Sequence, residues 1–132
     1  MNCLICYYEI MEVLASFTAV FLVIFVVPVL VYALFTYFFG LKEPEKKPSF
    51  FVGVVLQKLG TAIGFVALFY LGREYFIDNW FLYSLVWLAM FALTEIGQTF
   101  MPNYSKKEAA AGIISEAIYF PLSAFILSRL IG

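Results

Sequence analysis

Four long apolar stretches constrain this chain more than any other feature of its sequence. A helix needs roughly 20 mostly apolar residues to cross a bilayer, and each stretch is long enough. They cover residues 13–39, 50–71, 80–101 and 109–131, with short connections between them. Short connections make neighbouring helices antiparallel. The sequence therefore predicts an all-α fold, a polytopic integral membrane protein whose single transmembrane domain is a four-helix bundle.

Composition narrows the classes of function. Hydrophobic residues make up 64% of the chain and charged residues 13%, whereas a soluble domain averages about 45–50% and about 25%. An ordinary soluble core and a separate catalytic domain are therefore excluded. The net charge of −1 comes without a basic tail, so nucleic acid is not an expected partner. The chain has no histidine, which removes the commonest zinc and haem ligands, and we expect neither a metal nor a cofactor.

The N-terminal segment leaves several interpretations open. Cys3 and Cys6 are spaced C-x-x-C, which fits a redox pair, half of a metal site shared between two chains, or two free thiols in a frayed end. Met11 would serve equally well as the start of the chain. The first apolar run is about twice the usual length of a signal-peptide core and lacks a basic leader, so no signal peptide is predicted.

Local signals refine the helices and their orientation. Pro28 is expected to kink the first helix, and Ser105 to cap the fourth. Basic residues mark the cytoplasmic side of short loops. The loops 41–49 and 102–108 carry five lysines, against Arg73 and Arg129 on the other side. We therefore predict a multi-pass protein of the cell membrane with these two loops in the cytoplasm and both termini outside. The outer aromatic belt is predicted to contain Tyr75, Phe76, Trp80 and Tyr83.

Three charged residues fall inside the predicted spans: Lys58, Glu95 and Glu116. Each costs about 2.5–3.5 kcal/mol at a helix centre, so an intramembrane charge is a functional-site hypothesis when a partner can be named. At about 1.5 Å rise per residue, all three lie roughly 10–12 Å below the cytoplasmic boundary. One lysine with two glutamates leaves a surplus negative charge. The sequence therefore predicts a shared cluster in which one glutamate takes up a proton or a small cation.

Neighbouring residues on the same helical faces extend this cluster. Gln98 lies three residues after Glu95. The fourth helix carries a polar stripe of Gly112, Glu116, Tyr119 and Ser123, and the second carries Gly53, Gln57, Gly60 and Gly64. Gly60-x-x-x-Gly64 is typical of close approach between helix backbones. Tyr32 and Thr36 could add polar groups at similar depth. The predicted binding residues are Lys58, Glu95, Gln98, Glu116, Gln57 and Tyr119.

Less specific interpretations stand beside each of these. Lys58 could extend its ammonium to the cytoplasmic interface. Glu95 and Glu116 could be protonated and simply hold helices together through hydrogen bonds. The Gly-x-x-x-Gly pattern is common in membrane helices.

Two motifs in this region resemble those of the VanZ-like membrane proteins. That family carries Asp-Lys-x-x-His near the start of one helix and Glu-x-x-Gln near the end of the next. Here Gln57-Lys58-Leu-Gly-Thr61 and Glu95-Ile-Gly-Gln98 stand in those places, and Glu108 matches a later acid. The resemblance covers about residues 55–115. Three residues of the family's pattern are replaced in this chain. Gln57 stands for the aspartate, Thr61 for the histidine and Tyr104 for the loop arginine. The resemblance implies a membrane protein with a polar intramembrane cluster that binds or acts on lipid-linked head groups.

Three hypotheses for function follow from the sequence. The first is a small transporter or channel-like protein with a proton or cation site at the cluster. The second is a structural or accessory subunit of a larger membrane complex. The third is a lipid-directed enzyme, which ranks lowest because no nucleophile–base pair, metal-ligand set or phosphate loop is visible. Membrane lipid is the expected surrounding, and small-residue faces favour a homo-oligomer or partner membrane subunits.

Overall fold

The structure, a computed structural model, describes residues 2–41 and 48–132. The helices are α1 (Asn2–Phe39), α2 (Pro48–Leu71), α3 (Arg73–Phe76), α4 (Trp80–Gln98) and α5 (Lys106–Leu130). No strand occurs among these residues. Four of the helices, all but the single turn α3, are long and apolar enough to cross a membrane. The predicted all-α architecture with four long apolar helices is confirmed.

Helix α5 is the centre of the bundle. It packs most extensively against α1 and α4, while α2 packs mainly against α1. Half of the most apolar stretch of α5 is buried, against 11–22% of that stretch in the other three long helices. The Lys107 ammonium donates a hydrogen bond to the carbonyl of Phe39 at 2.9 Å, so the end of α1 lies beside the start of α5. We call this end of the bundle, with residues 39–41 and 102–108, the Tyr104 end.

Several helix boundaries differ from their predicted positions, including the starts of α2 at Pro48 instead of Phe50 and of α5 at Lys106 instead of Ala109. Helix α1 begins at Asn2 instead of Val13, and it continues without interruption through Pro28, which is buried. Cys3 and Cys6 therefore lie in a helix, as exposed free thiols, and the expected frayed end is wrong. Helix α4 ends at Gln98 instead of Met101, because residues 99–101 donate backbone hydrogen bonds to the third residue before them. That pattern tightens the last turn and ends an α-helix.

The core is an aromatic cluster between α2, α4 and α5. The Phe65 ring lies 4.9 Å from the Tyr83 ring, 5.4 Å from Trp87 and 5.5 Å from Phe120, measured between centroids. The Tyr83 hydroxyl donates a hydrogen bond to the backbone carbonyl of Phe65. Tyr83 is 4% exposed and packs inside the bundle, while the outer aromatic belt stays a prediction. Tyr75 is exposed, while Phe76 and Trp80 are half-buried against this core.

The predicted N-terminal cap of α5 is confirmed. The Glu108 backbone N–H donates to the Ser105 hydroxyl oxygen at 3.1 Å, and the Ser105 backbone N–H donates to the Glu108 carboxylate at 3.2 Å. This reciprocal capping box satisfies two N–H groups that the helix itself leaves without partners. It also gives Glu108 a role at the helix end, outside the cluster.

Loss of this cap should be measurable. We expect Ser105→Ala to lower the free energy of unfolding by about 0.5–2 kcal/mol, because the Glu108 N–H loses its acceptor. Ser105→Asp, which keeps an acceptor at the cap, should remain close to the unaltered protein. Equilibrium unfolding in mixed micelles compares the three proteins, and equal stability of both variants would argue against the cap.

Candidate functional site

The polar stripe predicted on the fourth helix faces the interior. Gly112, Glu116, Tyr119 and Ser123 are all buried in α5. Glu116 is 4% exposed, and its Oε2 atom has no hydrogen-bond partner. Burying a polar atom without a partner is costly, and burying an unpaired charge costs far more. Glu116 is therefore the most unusual group of the described residues and the natural centre of a site.

Glu95 reaches the same helix one turn nearer the Tyr104 end. Its carboxylate lies directly against Gly112, since a Cβ atom built on that glycine would stand 2.8 Å from Glu95 Cδ and 2.9 Å from Oε1. Only glycine leaves this space free, because any side chain at position 112 begins with a carbon where the carboxylate lies. The absence of a side chain at Gly112 thus brings the second carboxylate within one helical turn of Glu116.

Tyr104 holds the other side of the Glu95 carboxylate. Its hydroxyl donates a hydrogen bond to Glu95 Oε2. Asn103 has a φ of 70°, a left-handed conformation that asparagine adopts more readily than most residues, and this turn directs Tyr104 back over the end of α4. Burial, followed by the hydrogen bond to Glu95, raises the pKa of the Tyr104 hydroxyl well above its ordinary value. The hydroxyl therefore keeps its proton and remains a donor at physiological pH.

Lys58 contacts an aromatic ring and forms no ion pair with any residue of 2–41 or 48–132. Its ammonium nitrogen lies 5.2 Å from the centroid of the Tyr119 ring, within the range of a cation–π attraction. Neither Glu95 nor Glu116 forms a salt bridge with it within 4.0 Å. The Glu95 carboxylate lies at Gly112, and the Lys58 ammonium lies at Tyr119. The common depth of the three charged groups stays a prediction.

The remaining predicted residues differ in how far they are buried in the bundle. Gln98 is half-buried on the face of α4 that carries Glu95, and none of the side-chain hydrogen bonds within residues 2–41 and 48–132 involves it. Gln57 is exposed on α2, so the structure does not bring it to the others. Tyr32 donates to the backbone carbonyl of Glu108 at 3.4 Å. The Thr36 hydroxyl donates to the carbonyl of Tyr32 within α1.

Of the glycine stripe predicted on α2, only Gly64 faces a neighbouring helix among the described residues. A Cβ atom at Gly53 or Gly60 would meet nothing within 4 Å, and one at Gly64 would meet only the Trp87 side chain at 3.5 Å. The prediction that Gly60-x-x-x-Gly64 admits a close backbone is therefore wrong within this chain. The reason is that α2 turns a different face inward, which comprises Ala62, Phe65, Val66 and Phe69.

The sequence did not reveal Tyr104 as the partner of Glu95. The available signal was Pro102-Asn103, a turn dipeptide that follows the helix carrying the acid. Tyr104 also lines an open cavity at the Tyr104 end, together with Gly40, Leu41 and the other residues of 103–108. Tyr104 therefore both lines this cavity and donates a hydrogen bond from its hydroxyl to the Glu95 carboxylate.

The donor atoms of the site are few. Within the described ranges, no three His, Cys, Asp or Glu side chains group together. Oxygen atoms that could hold a proton or a cation in this region include those of the two carboxylates and of the Tyr104 hydroxyl. Comparison of the chain with protein-family models, with curated proteins and with solved structures gives no match. The resemblance to VanZ-like proteins stays a prediction from the two motifs.

Proposed function

We propose that this chain is a small multi-pass membrane protein that exchanges a proton or a small cation at Glu116 and Glu95 as part of transport. The observation that carries the proposal is the Glu116 carboxylate, which is 4% exposed and has an oxygen without a partner. An ionised carboxylate in that environment is strongly disfavoured, so the group either holds a proton or binds a cation. The protonated form and the cation-bound form both fit a site that takes up and releases a positively charged species.

The second carboxylate supports exchange over a purely structural role. Glu95 lies at Gly112, one helical turn from Glu116, and Lys58 forms no salt bridge with either acid within 4.0 Å. Two carboxylates this close can together hold one proton or one cation. A structural ion pair would instead bring the ammonium into direct contact with a carboxylate.

Packing density supports access from the Tyr104 end. Among the described residues, α2 has no fully buried residue before Ala62, and α4 has none after Ser84. The bundle is thus packed most densely around Phe65 and more loosely around Glu95. The lysines at 42, 46, 47, 106 and 107 favour the cytoplasm for this end, so the site would load from the cytoplasmic side.

The test is ion flux in proteoliposomes that contain the purified protein. We expect the unaltered chain to dissipate an imposed pH or sodium gradient faster than protein-free liposomes. Glu116→Gln should reduce this flux to the protein-free level, because the amide can neither release a proton nor attract a cation. An entrapped pH dye with valinomycin and potassium follows proton movement, and an entrapped sodium dye follows sodium.

Glu74→Gln provides the matched control. Glu74 is exposed in α3 at the other end of the bundle, so this variant makes the same chemical change away from the site and should keep full flux. Flux by Glu116→Gln equal to that of the unaltered chain would contradict the proposal, provided that both proteins elute alike in size exclusion.

The first turns of α1 favour a second candidate function, that of an accessory subunit. Each residue from Asn2 to Met11 is exposed, including Leu4, Ile5 and Tyr8 at 65%, 58% and 68%. An apolar helical segment without contacts in its own chain fits a partner membrane helix or lipid. An accessory subunit predicts no flux by the isolated chain, together with co-purification of a fixed partner that is lost when residues 2–11 are removed.

A further inference from the structure

The ammonium of Lys58 marks a place in the bundle where a positive charge is held by an aromatic ring. It lies 5.2 Å from the centroid of Tyr119, which is 1% exposed. A cation over a desolvated aromatic face is attracted by the ring quadrupole, and such rings recognise organic ammonium ligands. The contact joins α2 to α5, two helices that otherwise pack little against each other.

An acid lies one helical turn from this ring on the same side of α5. Glu116 precedes Tyr119 by three residues, and both side chains are buried. The acid keeps an oxygen without a partner, and the Lys58 ammonium lies beyond 4.0 Å from it. The internal cation therefore uses the ring and leaves the carboxylate unsatisfied. A ring and a carboxylate side by side provide the two attractions that an ammonium group needs.

Lys58 has room to leave this position. Its side chain is half-buried, and within the described part of α2 every residue before Lys58 is exposed or half-buried. A long lysine side chain at such a boundary can turn its ammonium toward the membrane surface. The ring and the acid would then be free for another cation.

We propose that Tyr119 and Glu116 form a binding subsite for an organic ammonium ligand. In this conformation the Lys58 ammonium occupies the position at the Tyr119 ring that the ligand would take. The inference rests on the proposed function, because it names the class of cation that the Glu116 site would take. Lys58 and the ligand then compete for Tyr119, so removal of the lysine charge should increase affinity. A bare proton or metal ion would gain little from the ring, whereas an alkylammonium ion gains from both groups.

The test measures binding of butylammonium by calorimetry in a neutral maltoside detergent. We expect Lys58→Met, which keeps an unbranched side chain without charge, to bind butylammonium about tenfold more tightly than the unaltered protein. In the Lys58→Met background, Tyr119→Phe should keep this affinity, and Tyr119→Leu should lose about tenfold because the ring is absent. Glu116→Gln in that background should abolish binding, and butanol should not bind.

The matched control is Lys106→Met, which removes the charge of an exposed lysine and should leave affinity unchanged. A second measurement needs no variant. Tetramethylammonium, which carries no nucleophile, should increase acetylation of Lys58 by an activated acetyl ester several-fold in the unaltered protein, and it should leave Lys106 unchanged. Mass spectrometry reads both sites, so the proposal can be tested even where Lys58→Met does not fold.

Two results would overturn the subsite. One is absence of butylammonium binding by folded Lys58→Met, and the other is a Lys58 acetylation rate that tetramethylammonium does not change. Either result with persistent Glu116-dependent proton or sodium flux rejects the ammonium ligand and leaves the proposed exchange function intact. Ammonium binding without any flux would instead support the subsite and reject transport by the isolated chain.

Discussion

Replacing Phe65 with alanine is expected to lower the free energy of unfolding by about 3–5 kcal/mol. The Phe65 side chain is 0% exposed, and its ring contacts the rings of Tyr83, Trp87 and Phe120. Truncation leaves a cavity between three helices, and the surrounding rings can fill it only in part. The Tyr83 hydroxyl donates a hydrogen bond to the backbone carbonyl of Phe65, and the variant retains this carbonyl. The loss of stability therefore measures the contribution of the Phe65 ring alone.

The matched control is Phe51→Ala on the same helix. Phe51 is 62% exposed, and its truncation should change stability by no more than about 0.5 kcal/mol. Equilibrium unfolding in mixed micelles, followed by the fluorescence of Trp87, measures both variants. Similar losses for the two phenylalanines would mean that α2 does not turn its Phe65 face toward α4 and α5.

The two phenylalanines differ in a property of α2 that its sequence does not predict, namely which face of the helix is buried. Helix α2 is apolar on every side, so its sequence carries little periodic signal for the buried face. The glycines suggested one face, while packing against Trp87 and Phe120 selects another. Helix α5 differs because polar and small residues recur on one side, and that stripe correctly indicated the interior. The sequence predicts the ends of the long helices approximately, because the apolar runs stop at charged residues, at prolines or at residues that cap a helix.

For the candidate site, the sequence indicated the three charged residues but not their contacts, and Gln57, which it also indicated, is exposed. The sequence predicts a similar depth for Lys58, Glu95 and Glu116, because the depth of a residue in a helix follows from its number. Few other residues of these apolar helices are charged. The contact between Lys58 and Tyr119 depends on a side-chain rotamer, and the bond from Tyr104 to Glu95 depends on the left-handed turn at Asn103. Neither is encoded in helical periodicity, so the sequence alone suggested an ion pair where the structure has a ring.

Replacing Gly112 with alanine is expected to displace the Glu95 carboxylate and to reduce flux about tenfold. The new methyl group would stand 2.8 Å from Glu95 Cδ and 2.9 Å from Oε1, closer than real Cβ contacts allow. The obstructed group is the end of a flexible side chain, so the helices need not move. The carboxylate instead leaves its position and loses the hydrogen bond from Tyr104, which at about 1.5–3 kcal/mol for a charged acceptor corresponds to roughly tenfold or more in an equilibrium.

Two other glycines give the opposite result in the same helical context. A methyl group at Gly60 or Gly97 would meet nothing within 4 Å, so Gly60→Ala and Gly97→Ala should stabilise the protein by about 0.5–1 kcal/mol through helix propensity. Gly112→Ala should instead destabilise it by about 1 kcal/mol, since the lost hydrogen bond outweighs the same gain.

A double-substitution cycle assigns the effect to Glu95. In a Glu95→Ala background the methyl group at position 112 has nothing to displace, so Gly112→Ala should become stabilising, as at Gly60 and Gly97. Unfolding in mixed micelles gives the coupling free energy, which we expect to be about 1–3 kcal/mol. Additive effects would show that Gly112 matters only for packing between α4 and α5. Coupling together with loss of flux in Gly112→Ala alone would identify this glycine as the residue that positions the second carboxylate beside Glu116.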